Sequence, residues 1–164
     1  MFVDTNIFIA ALNERDSDHE QGRVLLEAAF GRQKWLYTSD YVLDECFSVA
    51  WSKTSKQPKP FRLSLIRRLD DTIQESEKVR LLKVDARDFT SAKSFLRKNP
   101  AVIPTLTDWT SLVLMKRNRI SRILSFDRHF DEARKIGEFH DVRRVDEVAG
   151  IVSNTSSSSV VSKH

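Results

Sequence analysis

The apolar positions of this chain come in short blocks that switch between strand-like and helix-like spacing. An apolar pair, Phe2-Val3, runs into the polar triplet Asp4-Thr5-Asn6, and a second apolar run, Ile7-Phe8-Ile9, follows at once. The first pair reads as a short buried strand ending at Asp4, and the run 7–12 as a short helix. After the polar break Asn13 to Asp18, the stripe Val24, Leu25, Ala28 and Ala29 predicts a helix over about 18–31. Ser17 and Glu20 have the spacing of a capping box for it, and Gly31 is its expected stop. Trp35 to Thr38 predicts a second strand. Ser39 then caps a strongly apolar helix over about 40–53.

A loop from Lys53 to Pro60 separates that helix from another over about 61–76, whose apolar residues are Leu63, Leu65, Ile66, Leu69 and Ile73. Val79 to Val84 reads as a third strand. Asp85 is placed to cap a helix over 86–98, with Asp88 in its first turn. A loop with two prolines, Asn99 to Leu106, leads to a helix that begins at Thr107 or Asp108 and ends near 118. Ile120 to Ser125 predicts a fourth strand, and Val142 to Val145 a last strand at a sheet edge. Short strands alternating with helices in this way indicate an α/β fold with a mainly parallel sheet of four or five strands.

Composition narrows the picture only a little. A chain of 164 residues with 40% hydrophobic content suits one domain with a sizeable core, expected over 1–148. From Ile151 onward Ser and Thr dominate, including four serines in a row, so 149–164 is expected to be a flexible tail. The formal charge of +4 and a pI of about 9.3 permit nucleic acid or an acidic protein as a partner without requiring either. A single cysteine, Cys46, leaves no room for an internal disulfide framework and fits a reducing compartment. Met1 leads into a strand with no signal-peptide pattern, and no apolar run is long enough to span a bilayer, so a cytoplasmic location is expected. Four glycines and no Gly-rich loop argue against a dinucleotide or P-loop enzyme.

Four carboxylates stand out by context. Asp4 follows the first strand, Glu45 interrupts the apolar helix, Asp108 opens a helix after a proline-containing loop, and Asp127 follows the fourth strand. Ligand sites in open α/β sheets lie beyond the carboxyl ends of the strands, where these residues can meet. Carboxylates gathered in one cleft repel one another, and a hard divalent cation relieves the repulsion. Two such ions can activate a water and stabilise a phosphodiester leaving oxygen. Asn6, Thr5 or Ser125 is placed to support the acids by hydrogen bonds. Taken one at a time, Asp4 is equally a helix cap, and Glu45, with Tyr41 and Ser48, is equally a polar strip facing solvent.

At this level of detail the chain resembles a PIN domain, the fold of a metal-dependent ribonuclease family, and is most similar to the VapC-type toxins of toxin–antitoxin pairs. Phe2-Val3-Asp4-Thr5-Asn6 matches the family's opening, and Ser39 to Glu45 its second motif. Leu106-Thr107-Asp108 matches the third, and Ile123 to Phe130, with an aromatic three residues past Asp127, the fourth. The resemblance covers about residues 1–146. It implies a three-layer α/β/α sandwich around the sheet. It also implies that Asp4, Glu45, Asp108 and Asp127 bind Mg²⁺ or Mn²⁺ for endonucleolytic cleavage of RNA, with Asn6 and Ser125 as supporting residues. A small antitoxin protein and a second copy of the chain, in a homodimer, are the partners it implies.

Neighbouring residues read differently. Asp44 points about 100° away from Glu45 on the helix and is expected at the surface. Cys46 and Trp109 are expected in the core, His129 in a structural role or near RNA phosphate, and Arg128 as the first candidate for a phosphate contact. Asp131, four residues past Asp127, is a candidate for the rim of the site. Other functions remain open on the sequence: a PIN nuclease of RNA processing or decay, or a non-catalytic RNA- or protein-binding scaffold on the same fold. A phosphatase with an N-terminal Asp nucleophile is disfavoured, because Asn6 stands where a second Asp is needed.

Overall fold

The computed structural model describes residues 1–152. Its parallel sheet is built of β1 (Phe2–Val3), β2 (Leu36–Ser39), β3 (Val79–Leu82), β4 (Arg122–Leu124) and β5 (Arg143–Val145), in the order β3-β2-β1-β4-β5. β1 lies at the centre, with Phe2 beside Tyr37 on one flank and beside Ile123 on the other. Successive strand residues face opposite sides of a sheet. Phe2 and Val3 are both fully buried, so both sides of this strand are covered. The expected three-layer α/β/α sandwich is what the chain forms.

The helices are α1 (Thr5–Leu12), α2 (His19–Arg32), α3 (Asp40–Lys53), α4 (Lys59–Asp70), α5 (Ala86–Lys98), α6 (Leu106–Arg117), α7 (His129–Ala133) and α8 (Val148–Val152). The chain leaves β1 toward β2 and β3, then crosses back to reach β4 and β5. The right-handed rule for such crossovers puts α1 to α4 on one face and α5 to α7 on the other. The packing agrees: α1 lies against α2, α3 and α4, while α5 pairs with α6. On the second face Phe95 stacks on Trp109 at 5.6 Å between ring centroids, and Phe139 meets Phe95 edge-on at 4.9 Å. On the first face Gly22 lets α2 approach α1 closely, since a Cβ there would fall 2.6 Å from that of Ala10.

Local chemistry explains most of the element ends. Ser39 caps α3 by accepting from the Val42 amide, and Asp85 and Asp88 form a reciprocal capping box on α5. Three boundaries differ from the sequence reading. The Ser17–Glu20 capping box does not form: Asp18 occupies the cap position without a side-chain bond, and Glu20 pairs with Arg23 at 2.7 Å instead. Asn13 and Asp16 tie the preceding loop into turns by accepting from the Arg15 and Asp18 amides, which delays the helix start. α2 also runs through Gly31 to Arg32, because no glycine here takes the positive φ of a helix stop. The helix read over 61–76 is α4 followed by a π-helical turn, Asp71–Glu75.

Residues 149–152 of the expected tail belong to α8, and Ile151 is buried in the core, with its carbonyl accepting from Gln33. The remainder of that tail, 153–164, lies outside the described residues. Among the described residues no helix is long and apolar enough to cross a membrane.

Candidate active site

The strand order reverses between β1 and β4, and the crevice beyond their carboxyl ends is where open α/β sheets hold ligands. A cleft of about 220 Å³ lies at this place, and Asp4, Glu45, Asp108 and Asp127 all line it. Four elements therefore deliver the four acids: the end of β1, the second turn of α3, the first turn of α6 and the segment after β4. Thr5, Asn6 and Thr105 line the same cleft, with Ile9 and Val49 as apolar wall.

Asp4 is held hardest. The Thr5 amide donates to its Oδ1 at 2.8 Å, while Ser125 Oγ and Asn6 Nδ2 both donate to its Oδ2 at 2.7 Å. Its capping role and its place in the cleft are thus one arrangement, and the two readings of Asp4 are not alternatives. Asn6 Nδ2 also donates to Ser125 Oγ at 3.0 Å, and Asn6 Oδ1 accepts from the Phe126 amide at 3.0 Å. Ser125 Oγ further accepts from the Asp127 amide at 2.9 Å. These bonds lock the first turn of α1 to the segment after β4, so Asn6 and Ser125 fix the relative position of Asp4 and Asp127.

Glu45 is half-buried and accepts from Thr5 Oγ1 at 2.6 Å. Its strip on α3 therefore faces the cleft at Glu45, whereas Asp44 and Ser48 are exposed. Asp108 is buried and bound to Thr105, which donates to its Oδ2 at 2.5 Å and accepts from its amide at 3.1 Å. Thr105 is thus the cap of α6, two residues ahead of the expected Thr107. Its spacing, Thr105-Leu106-Thr107-Asp108, is that of a capping box and is readable in retrospect. Asp127 accepts from both the amide and Nδ1 of His129, at 2.9 and 2.7 Å. Arg128 is exposed beside it, and Asp131 is turned away into an ion pair with Arg144 at 2.8 Å. Trp109 and Cys46 are fully buried, with Trp109 Nε1 donating to the Ile103 carbonyl.

The charge in the cleft is poorly compensated. Burial pushes the Asp4 carboxyl up to about 7, Asp108 and Glu45 add repulsion, and the donors Ser125 and Thr5 only partly offset this. Burial likewise pushes Asp108 up to about 6, with Glu45 and Asp127 adding to it, and Thr105 and His129 opposing. Neutral hydroxyl and amide donors stabilise a carboxylate without cancelling its charge. A divalent cation would cancel it. The oxygen donors that line the cleft are carboxylates, an amide and hydroxyls, the hard-oxygen chemistry that Mg²⁺ and Mn²⁺ prefer. Among the described residues no three His, Cys, Asp or Glu side chains stand close enough to form a direct metal cage. Mg²⁺ needs no such cage, since it binds through one or two carboxylates and keeps several waters. On donor chemistry, the residues fit such an ion.

The PIN-domain family model matches residues 1–136. This chain belongs to the PIN-domain family. Solved structures show the same fold. The VapC20 toxin of Mycobacterium tuberculosis, which cleaves the sarcin–ricin loop, matches with a TM-score of 0.66 and 22% identity, over 80% of this chain and 93% of that one. VapBC2 of Rickettsia felis, bound to a DNA fragment from its promoter, matches with a TM-score of 0.54 and 14% identity, over 88% of this chain and 96% of that one. No curated protein matches the chain in sequence. At such identities the structural likeness is one of fold.

Proposed function

We propose that this PIN domain is a divalent-metal-dependent endoribonuclease and the toxin of a toxin–antitoxin pair. The observation that carries the reading is the convergence of Asp4, Glu45, Asp108 and Asp127 on one cleft, with Asp4 and Asp108 destabilised as anions. Those four residues would hold Mg²⁺ or Mn²⁺, which when bound supplies an activated water and neutralises the leaving oxygen of a phosphodiester. Asn6 and Ser125 hold Asp4 in place, Thr5 orients Glu45, and Thr105 orients Asp108. Ile9 and Val49 give the cleft an apolar wall. His129 steadies Asp127 and is not needed as a base.

The toxin role, the antitoxin partner and a homodimer rest on the family and on the fold shared with VapC20 and VapBC2. A basic chain with an acidic cleft suits an antitoxin that offers a cationic side chain to the cleft and an acidic surface to the rest. The decisive assay is cleavage of RNA by the purified chain with and without Mg²⁺ or Mn²⁺, repeated with Asp4→Asn. Cleavage that needs the metal and disappears in the folded variant is the expected result. Equal cleavage by a folded Asp4→Asn protein rejects the mechanism. Co-purification with the product of a neighbouring small gene separates the toxin from a nuclease of RNA processing.

A further inference from the structure

Lys53, at the last turn of α3, is the one cation among the described residues that line the acid cleft. It also lines a second polar pocket of about 350 Å³. The two cavities therefore share this side chain as a wall. The second pocket is built from the ends of α1 and α3 and the loop after each, and includes Asn13, Asp16 and Gln57. Lys53 Nζ donates to Asp16 Oδ2 at 2.8 Å; the Asp16 side chain is 5% exposed and that of Lys53 54%. A carboxylate buried beneath a lysine fixes where the ammonium sits, while the ammonium itself stays open to solvent and to a ligand.

We propose that Lys53 and this second pocket form a subsite for the nucleotide that flanks the scissile bond, Lys53 taking its phosphate and Asn13 and Gln57 the edge of its base. The inference rests on the ribonuclease reading of the acid cleft. The pocket itself is mixed in charge, with Arg15 and Lys53 lining it beside Asp16. It lies at the C-terminal ends of α1 and α3, whose dipoles are negative there, and Asp16 adds a buried carboxylate. Base edges with amino donors fit such a place, and recognition of single-stranded RNA works through edges of unstacked bases. Asn13 is 3% exposed, and its Oδ1 accepts from the Arg15 amide. Of the two cations that line the pocket, Lys53 is the one that also lines the acid cleft, so a phosphate next to one held at the acids meets Lys53 at the shared wall. A strand lying across this wall would meet the acids with one phosphate and Lys53 with the next. Lys53 acts in this scheme as a positioning residue.

Binding of a fluorescein-labelled pool of randomised single-stranded RNA, followed by anisotropy in the presence of Mg²⁺, tests this in an Asp4→Asn background that prevents cleavage. Adding Lys53→Ala is expected to weaken binding about tenfold, the scale of one charge-assisted contact. The slope of log affinity against log salt should shrink by about 0.7, the share of one phosphate contact on a single strand. Lys53→Arg should restore the slope. Asp16→Asn should weaken RNA binding less than Lys53→Ala does and keep the salt slope, because the lysine keeps its charge and loses only its fixed place. If Lys53 only ties α3 to the α1–α2 loop, Lys53→Ala and Asp16→Asn will lose the same thermal stability and leave RNA affinity untouched, which overturns the proposal. In the cleaving protein, Gln57→Ala should relax base preference at one position beside the cut, and an unchanged cut-site profile rejects the base pocket. RNA binding without any cleavage would reject the nuclease reading and leave the Lys53 effect measurable. No RNA binding by the parent protein overturns both.

Discussion

Two clusters of buried acidic side chains in this molecule treat the charge in opposite ways. On α5, Asp88 is 4% exposed and meets the Arg117 guanidinium, which also reaches Asp85 at 2.8 Å and the Lys83 carbonyl at 3.1 Å. Asp85 accepts from the Asp88 and Arg87 amides, and these, with Arg117, hold its carboxyl below the usual range. In the acid cleft Asp4 and Asp108 are as deeply buried, but their partners are hydroxyls and amides. The first cluster carries its own cation and joins α5 to α6. The second has only Lys53 at its wall, whose ammonium is bound to Asp16, and its geometry is held by neutral groups that leave the charge of Asp4 and Asp108 uncancelled. Burial alone does not mark a functional acid; burial without a countercharge, beside other acids, does.

The widest separation of the two clusters should appear in activity. Asp108→Asn is expected to reduce metal-dependent RNA cleavage on the order of 10³-fold, as when one member of a cooperating set is removed. Its melting temperature should hold or rise, because a repelled anion becomes neutral. Asp88→Asn should do the reverse, with stability lost and cleavage per folded molecule kept. Cleavage rates alongside thermal melts measure both, and an Asp88→Asn protein that is folded but inactive would remove the distinction.

Stability against pH gives the next largest effect. Asp4, raised to about 7, and Asp108, raised to about 6, bind protons in the folded chain that they release when it unfolds. Between about pH 4 and pH 7 the folded state thus holds more protons, and stability must fall as pH rises across that window. The displacement of Asp4 from 3.8 to about 7 is worth up to about 4 kcal/mol at 1.36 kcal/mol per pH unit. Denaturant titrations in EDTA should show the fall, and Mg²⁺ or Mn²⁺ should flatten it by favouring the charged carboxylates. The Asp85–Asp88–Arg117 cluster is not expected to share this metal response.

Arg117→Ala probes the other side of the contrast. It leaves Asp88 buried with only the Asp85 amide as donor. A cost of about 2 kcal/mol is expected, below that of a fully buried pair because the Arg117 side chain is 41% exposed. The same variant should leave the metal dependence of cleavage unaltered. A shift in metal affinity, read from cleavage against Mg²⁺ concentration, would mean that the two clusters are coupled through α6.

What the sequence made legible follows from how local the determinants are. Asp4, Glu45, Asp108 and Asp127 stand out because each follows a strand, interrupts an apolar helix or opens a helix, and the caps at Ser39 and Asp85 lie within three residues of the amides they serve. The reversal of strand order between β1 and β4 is a tertiary property with no local signature, so the place of the cleft had to come from the fold. The pairing of Lys53 with Asp16 spans 37 residues and is invisible to periodicity. Thr105 has the residue type and spacing of a cap, but Thr107 and Asp108 are caps by residue type as well, and only the bond to the Asp108 amide decides among them. The Ser17–Glu20 pattern misled for the opposite reason: Asn13 and Asp16 organise the loop ahead of it, and this local competition decides where α2 begins.

Ser125 allows the finest test of the contrast, because it touches Asp4 without carrying charge. Its Oγ donates to Asp4 Oδ2 and accepts from Asn6 Nδ2 and the Asp127 amide, so one hydroxyl serves three groups of the cleft. The hydrogen bond to Asp4 works against burial and holds its carboxyl down. Ser125→Ala should therefore raise the Asp4 pKa further and shift the acidic limb of the cleavage profile to higher pH. Below that limb the rate should drop about tenfold, the lower end of what supporting residues around a metal site contribute. At alkaline pH, where Asp4 is ionised in either protein, most of the loss should vanish. A merely structural serine predicts a rate reduced equally at every pH, so the shape of the profile separates tuning of Asp4 from simple support of the loop after β4.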